Sequence, residues 1–163
     1  MTIVTRRMLI VPYTETLESD FLMLNCCAKN RAQMNGPKTV SAAREQFRRI
    51  LHDPSLYAMA VLDNYNREYM GHLYLEVEQQ QAELGFIFDK SYWGQGLASE
   101  ALQAFFPKIC QRFDLQNVTS LVNAQHLAAQ SLLIKLGFAL WQIEEGVLGV
   151  LYHYQWAASA DNR

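Results

Sequence analysis

Two glycines, Gly94 and Gly96, separate a short apolar run from a longer amphipathic one in "ELGFIFDKSYWGQGLASEALQAFF". Residues 82–88 are apolar and strand-like, whereas the apolar residues of 97–113 recur with the spacing of a helix. A helix that begins directly after a glycine turn has unpaired N–H groups at the positive end of its dipole. Because glycine also lets a ligand approach the backbone closely, the junction predicts an anion site and favours a phosphate.

Composition and charge limit the number of domains, the class of partner and the cellular location that we expect. The chain has 163 residues, 50% of them hydrophobic, so we expect one domain over residues 1–156 and a polar tail over 157–163. The net charge of −2 lacks the basic excess of nucleic-acid-binding proteins, so nucleic acid is not an expected partner. The three cysteines indicate no disulfide framework, and no apolar run suits a membrane span or a secretion signal. We predict a cytoplasmic monomer or homodimer with no membrane partner.

Hydrophobic periodicity predicts an α/β domain. Strands are predicted over residues 7–12, 57–63, 69–78, 82–88, 117–122, 138–144 and 147–156. Helices are predicted over residues 15–28, 40–51, 97–113 and 127–136, with a kink expected at Pro107. The fold class is a mixed, mostly antiparallel, twisted sheet of about six to seven strands, with helices on both faces. One central β-α-β unit, formed by 82–88, 97–113 and 117–122, is expected to cross over with a right hand.

The two common nucleotide motifs do not fit the glycine junction. A dinucleotide fold requires G-x-G-x-x-G, but Ser99 stands at the third glycine position. A Walker loop requires a Lys-Ser or Lys-Thr pair after its last glycine, and neither Gly94 nor Gly96 is followed by one. If the glycine junction binds a phosphate, it therefore belongs to a phosphate-binding family other than these two.

Three segments together resemble the GNAT superfamily of N-acetyltransferases: "TRRMLIVPY", "ELGFIF…SYWGQGLASEAL" and "SLLIKLGF". Within that superfamily the chain is most similar to the RimJ/RimL-like branch, which acetylates N-terminal amines of ribosomal proteins. The resemblance implies a single-domain GNAT-like fold. It also implies transfer of an acetyl group from acetyl-CoA to a primary amine, by direct attack in a ternary complex. The acceptor would be a protein or peptide N-terminal α-amine, with a small-molecule amine as the alternative.

The resemblance also assigns the cofactor site. In the superfamily the pattern [QR]-x-x-G-x-[GA] holds the pyrophosphate of acetyl-CoA, and here Ser91 stands at its first position. Backbone N–H groups would then face the pyrophosphate from Trp93, Gly94, Gln95, Gly96, Leu97 and Ala98. The backbone of Phe86, Ile87 and Phe88 would pair with the pantetheine arm as an added strand. An N–H group of this strand would stabilise the thioester oxyanion. The alternative is a plain strand–helix turn.

Glu83 and His126 are the candidate catalytic residues. Strand alternation places Glu83 on the face of Gly85 and Ile87, and a glutamate at this position of the superfamily can activate water or orient the amine. A solvated strand carboxylate and a surface histidine are the competing interpretations. Family members usually carry a serine or a tyrosine as proton donor where this chain has Ala129 and Leu133. The histidines show no ligand spacing, so no metal is predicted.

Because the usual serine and tyrosine proton donors are missing, the sequence is compatible with two functions. One is an N-acetyltransferase, and the other is an acyl-CoA-binding regulatory module without turnover. General acid–base help contributes about 10²–10⁴-fold, so its loss does not abolish catalysis. An α-amine with a pKa of roughly 7.7–8.0 needs less help than a lysine near 10.4, which favours an α-amine acceptor. Residues 17–40 and 144–149, expected to line the acceptor site, carry no recognisable motif.

Overall fold

The strands form one mixed sheet, in the order β1-β2-β3-β4-β5-β6-β8-β7, in a computed structural model that describes residues 1–147 and 149–159. Neighbouring strands run antiparallel except for the parallel pair β5 and β6. The strands are β1 (Ile3–Val4), β2 (Met8–Pro12), β3 (Leu56–Asp63), β4 (Tyr69–Glu78), β5 (Gln81–Phe88), β6 (Asn117–Asn123), β7 (Ala139–Gly146) and β8 (Gly149–Ala157).

The predicted fold class is confirmed, with one strand more than expected. The sheet has eight strands, and the additional one is β1, which pairs with β2 through Ile3–Ile10 and Val4–Leu9. A strand of two residues is too short to show alternation, so no sequence pattern identifies it. At the other end of the chain β8 extends to Ala157, and residues 160–163 of the predicted tail lie outside the described residues, as does residue 148.

Four helices are present in the described chain: α1 (Glu18–Asn25), α2 (Val40–His52), α3 (Leu97–Arg112) and α4 (Leu127–Lys135). The Thr39 hydroxyl caps α2 by accepting from the N–H of Ala42 at 3.1 Å. Helix α3 continues through Pro107 as one helix. Pro107 and Gln103, whose carbonyl loses its usual donor, are both exposed, so water can serve that carbonyl.

The sheet carries a core on each face. The larger core packs α3 and α4 against one face and includes Leu84, Phe105 and Leu133. The smaller core lies under α1 and α2 and is aromatic, with Phe21 and Phe47 packed tilted at 5.3 Å between ring centroids. The central strands of the sheet separate between these two cores.

Strands β5 and β6 separate after only three residue pairs. They pair through Gln81–Asn117, Ala82–Val118 and Glu83–Thr119, while β5 continues to Phe88 and β6 to Asn123. Where the pairing stops, the buried Ser120 hydroxyl donates to the Leu84 carbonyl at 2.9 Å. The remaining part of β5 therefore has an edge that no strand covers within the described chain.

Phe105 tests the larger core, because its ring is fully buried in α3. We expect Phe105→Ala to lower the free energy of unfolding by about 3–5 kcal/mol, through lost transfer energy and a cavity. Urea unfolding followed by circular dichroism measures the change. Gln103→Ala, on the exposed side of the same helix, is the control and should shift stability by less than about 0.5 kcal/mol. A similar loss in both variants would contradict this packing.

Candidate active site

The turn between β5 and α3 presents a row of unpaired N–H groups. Gly94 and Gly96 adopt φ values of 75° and 73°, which glycine tolerates far better than other residues. The N–H of Trp93 donates to the Lys90 carbonyl at 3.1 Å, so the unpaired groups begin at Gly94. From there to Ser99, no backbone N–H has a partner within the described residues. With the helix dipole behind them, these groups form an anion site.

A charged clamp from the start of the chain holds this turn in place. The Arg7 guanidinium donates to the Gln95 carbonyl at 2.9 Å and to Glu100 Oε1 at 2.8 Å. Glu100 Oε2 accepts from the Thr5 hydroxyl at 2.6 Å and from the Arg7 N–H at 3.1 Å. Although partial burial opposes it, hydrogen bonds from Thr5 and Arg7 lower the pKa of Glu100. No sequence pattern indicates this clamp, since its partners are far apart along the chain.

A cavity of about 350 Å³, the large cavity, lies between the uncovered edge of β5, the start of α3 and one side of α4. It brings together all but one of the predicted cofactor residues: Phe86, Ile87, Phe88, Trp93, Gly94, Gly96, Leu97 and Ala98. Gln95 is the exception, because its side chain turns back to donate to the Ser91 carbonyl at 3.2 Å. Sequence reasoning did not assign the other lining residues to the cofactor site: Asn30, Gln33, Met34, Tyr92, Ser99, Ala128, Ala129, Ser131, Leu132 and Lys135.

The backbone groups of Phe86, Ile87 and Phe88 do not all face the uncovered edge of β5. The Leu84 carbonyl accepts from Ser120, and the Phe88 carbonyl accepts from the Trp93 indole at 2.8 Å, so both face away from β4. Alternate residues of a strand direct both backbone groups to the same edge. Phe86 therefore presents its N–H and C=O to the opening, whereas those of Ile87 face β4.

A smaller cavity of about 60 Å³, the small cavity, adjoins the large one where β5 and β6 separate. Its lining includes both predicted catalytic residues, Glu83 and His126. Gln33, Met34, Phe86, His126 and Ala129 line both cavities. The structure thus brings Glu83 and His126 to one cavity wall, with His126 where the two cavities meet, although 43 residues separate position 83 from position 126.

His126 lies directly before α4, with its ring 6.3 Å from the Trp93 ring. Burial lowers the pKa of His126 from its ordinary value of 6.5. The imidazole is therefore neutral at pH 7. It can donate one hydrogen bond, but it does not carry a second proton to give away.

The two positions where family members usually carry a proton donor are apolar and buried. Ala129 lines both cavities, and Leu133 is fully buried in the larger core. Ser131 lines the large cavity although helix geometry separates it from Ala129, because the cavity follows a stripe at i, i+3, i+4 and i+7 along α4. This stripe consists of Ala128, Ser131, Leu132 and Lys135.

The loop between α1 and α2 closes the site and is fastened to the glycine turn. The buried Asn30 donates to Asp89 Oδ2 at 3.2 Å and accepts from the Lys90 N–H at 2.7 Å. The Arg31 guanidinium donates to the carbonyls of Met34 and Gly36, each at 2.8 Å. These bonds position Gln33 and Met34 over both cavities.

Among the described residues, no group of three or more histidine, cysteine or acidic side chains is placed to hold a metal. No helix in the described ranges is long and apolar enough to cross a membrane.

Comparison with known proteins decides the family. The sequence profile of the acetyltransferase (GNAT) domain matches residues 7–139. The chain belongs to this GNAT family. It is an N-acetyltransferase, and the expected GNAT fold is confirmed. The family uses acetyl-CoA, and the unpaired N–H groups at the start of α3 suit its pyrophosphate.

Solved structures share this fold over nearly the whole chain. A GNAT-family acetyltransferase from Bacillus anthracis is 16% identical, with 96% of this chain and 98% of that chain covered and a TM-score of 0.81. An acetyl transferase from Salmonella typhimurium that modifies the N-terminal serine of a 50S ribosomal subunit protein is 19% identical (98% and 100% covered, TM-score 0.77). The RimL ribosomal-protein α-N-acetyltransferase in complex with coenzyme A is 20% identical (96% and 98% covered, TM-score 0.77).

At these identities the structures show the fold alone. The search of curated proteins found no match. Assignment to the RimJ/RimL-like branch stays a prediction.

Glu100→Gln tests the clamp through the pH dependence of stability. Because the folded state lowers the pKa of Glu100 below its ordinary value of 4.5, the carboxylate stabilises the fold above that pH. We expect the variant to be less stable than the parent by about 1 kcal/mol at pH 7, after allowance for solvent screening. The difference should shrink as the pH falls below the ordinary value. Denaturant unfolding from pH 7 to pH 3 measures it.

Glu45→Gln is the matched control, since Arg48, on the surface of α2, is the one ion-pair partner of Glu45 among the residues that the structure describes. A constant difference between parent and Glu100→Gln at every pH would contradict a role for the carboxylate charge.

Proposed function

We propose that this enzyme acetylates the α-amino group of a protein or peptide, using acetyl-CoA and direct attack in a ternary complex. The observation that supports this most is the convergence of two backbone features on the large cavity. One is the row of unpaired N–H groups from Gly94 to Ser99, and the other is the uncovered edge of β5 at Phe86. Together they suit a ligand with a pyrophosphate at one end and amides along its length.

The chain's own groups divide the binding of acetyl-CoA between them. The unpaired N–H groups of the glycine turn bind the pyrophosphate, with the helix dipole in support. Phe86 accepts a hydrogen bond from the pantetheine arm at its C=O, and Ile87 contributes its side chain to the wall. Lys135, at the far end of the α4 stripe, adds a positive charge for a phosphate.

In the reaction the amine lone pair forms the new C–N bond and the C–S bond of the thioester breaks. Negative charge develops on the carbonyl oxygen, and the Phe86 N–H is the backbone donor placed to stabilise it. Glu83 accepts the proton that nitrogen loses, directly or through water, and the balance requires one proton to reach the sulfur. His126, neutral and between the two cavities, can donate a hydrogen bond to the leaving sulfur.

An α-amine acceptor is supported by two arguments. The structures that share the fold include two described as acetylating a ribosomal protein, at N-terminal serine or as an α-N-acetyltransferase. In addition, Ala129 and Leu133 leave α4 without a hydroxyl at the usual donor positions, so the acceptor should be an amine that is partly neutral at pH 7. A ribosomal-type substrate would place the enzyme in the cytoplasm, where Cys26, Cys27 and Cys110 are free, as here.

Gly96→Ala tests the pyrophosphate site. A Cβ at Gly96 would have the Arg7 guanidinium as its nearest neighbour, at 3.7 Å, so no protein atom blocks a methyl group, although the φ of 73° strains an alanine there. The methyl group narrows the approach to the N–H groups. We expect the dissociation constant for coenzyme A, measured by calorimetry, to rise at least about 10-fold. Gly36→Ala introduces a methyl group at a similar φ of 80° outside the cavity and is the control. Equal affinities in both variants would refute the assignment.

A matched pair of peptides tests the acceptor. Both contain lysine, and one has a free N-terminus while the other is blocked there. Because α-amines and lysine differ by roughly 2.5 pKa units, their neutral fractions at pH 7 differ a few hundredfold. We expect acetylation of the free peptide alone, detected by mass spectrometry and by thiol release. Strong acetylation of the blocked peptide would overturn the α-amine proposal, and acetylation of neither would favour a small-molecule amine.

A further inference from the structure

Tyr74 on β4 lies across Gly85 on β5. The two residues are direct partners in the antiparallel register. A Cβ added to Gly85 would overlap the ring and the hydroxyl of Tyr74. The tyrosine therefore occupies the space that a side chain at position 85 would fill, and glycine at this position is what permits its approach.

This placement puts the Tyr74 hydroxyl beside Glu83. Glu83 and Gly85 share one face of β5 because side chains alternate along a strand. Tyr74 lines the small cavity together with Glu83, Phe86 and His126. Tyr74 thus lies at the small cavity with Glu83, next to the part of β5 whose edge is uncovered.

The Tyr74 hydroxyl is also available for a ligand. Two other tyrosines of the same aromatic core, Tyr13 and Tyr69, bond to each other through their hydroxyls. The Tyr74 hydroxyl has no hydrogen-bond partner within the described residues. Burial, with the charges of Glu83 and Glu76, raises the pKa of Tyr74, so the group stays a neutral hydroxyl. A half-buried hydroxyl without a partner on a cavity wall is costly unless a ligand or water pairs with it.

We propose that Tyr74 holds the acceptor amine, its hydroxyl oxygen accepting one N–H hydrogen bond while the Glu83 carboxylate accepts the other. The inference rests on the proposed function and deepens it. A neutral primary amine has two N–H donors and one lone pair. Acceptors for both hydrogens leave the lone pair as the only group that can face the thioester carbonyl, at the Phe86 edge. Tyr74 is then a catalytic residue on β4 that no family pattern in the sequence identifies.

Tyr74→Phe removes the hydroxyl and keeps the ring on Gly85. With a free N-terminal peptide and saturating acetyl-CoA, we expect kcat/KM for the peptide to fall by roughly 10- to 100-fold. The dissociation constant for coenzyme A and the Tm should not change. Tyr57→Phe is the matched control, because Tyr57 lies on β3, packs on the other face of the sheet, and pairs weakly with Arg112 at 3.5 Å. It should retain the parent's activity.

The outcomes separate this inference from the proposed function. If the parent releases thiol with the peptide and Tyr74→Phe is equally active, the inference on Tyr74 is wrong and the proposed function stands. A loss accompanied by weaker coenzyme A binding or a lower Tm would make Tyr74 a structural residue and also overturn the inference. If the parent acetylates no amine, the proposed function fails and the inference fails with it.

Discussion

The separation of β5 from β6 is the constraint on which the site depends. A continuous sheet would pair every backbone group of β5, but here the pairing stops after Glu83–Thr119, and the Ser120 hydroxyl takes the Leu84 carbonyl. The next residue whose backbone faces the opening, Phe86, has no backbone partner among the described residues. This opening lies between the two cores, and the two cavities meet in it.

Contacts from distant parts of the chain hold the glycine turn beside this opening. Arg7 fixes the Gln95 carbonyl and Glu100, while Asn30 binds both Asp89 and the Lys90 N–H. Arg7, near the start of the chain, and the loop between α1 and α2 are therefore both attached to the segment from Asp89 to Glu100. Movement of the glycine turn would disturb both sets of contacts, so in the proposed reaction these polar contacts would preorganise the two substrates relative to each other.

Helix α4 contributes no polar side chain to the small cavity. Ala129 and Leu133 leave that helix apolar at the usual donor positions, and burial keeps His126 neutral. Among the described residues that line the small cavity, Glu83 is the one acidic residue, and Tyr74 lines the cavity with it. This distribution suits an amine substrate that is partly neutral at pH 7. The site offers oxygen atoms that can accept hydrogen bonds from the amine more readily than it offers a proton for the leaving sulfur of coenzyme A.

By itself the sequence determined what short-range patterns encode. Alternation and helical spacing located seven of the eight strands and all four helices, and Gly94 with Gly96 marked the anion-binding turn. Strand alternation also put Glu83 on the same face of β5 as Gly85, the partner of Tyr74. Only the tertiary structure decided the partners of Arg7, Asn30 and Tyr74, because each meets residues remote in sequence or on another strand. Local periodicity in the sequence predicts which face of a strand or helix a side chain occupies. The register between strands and the packing of loops decide which residues that side chain contacts.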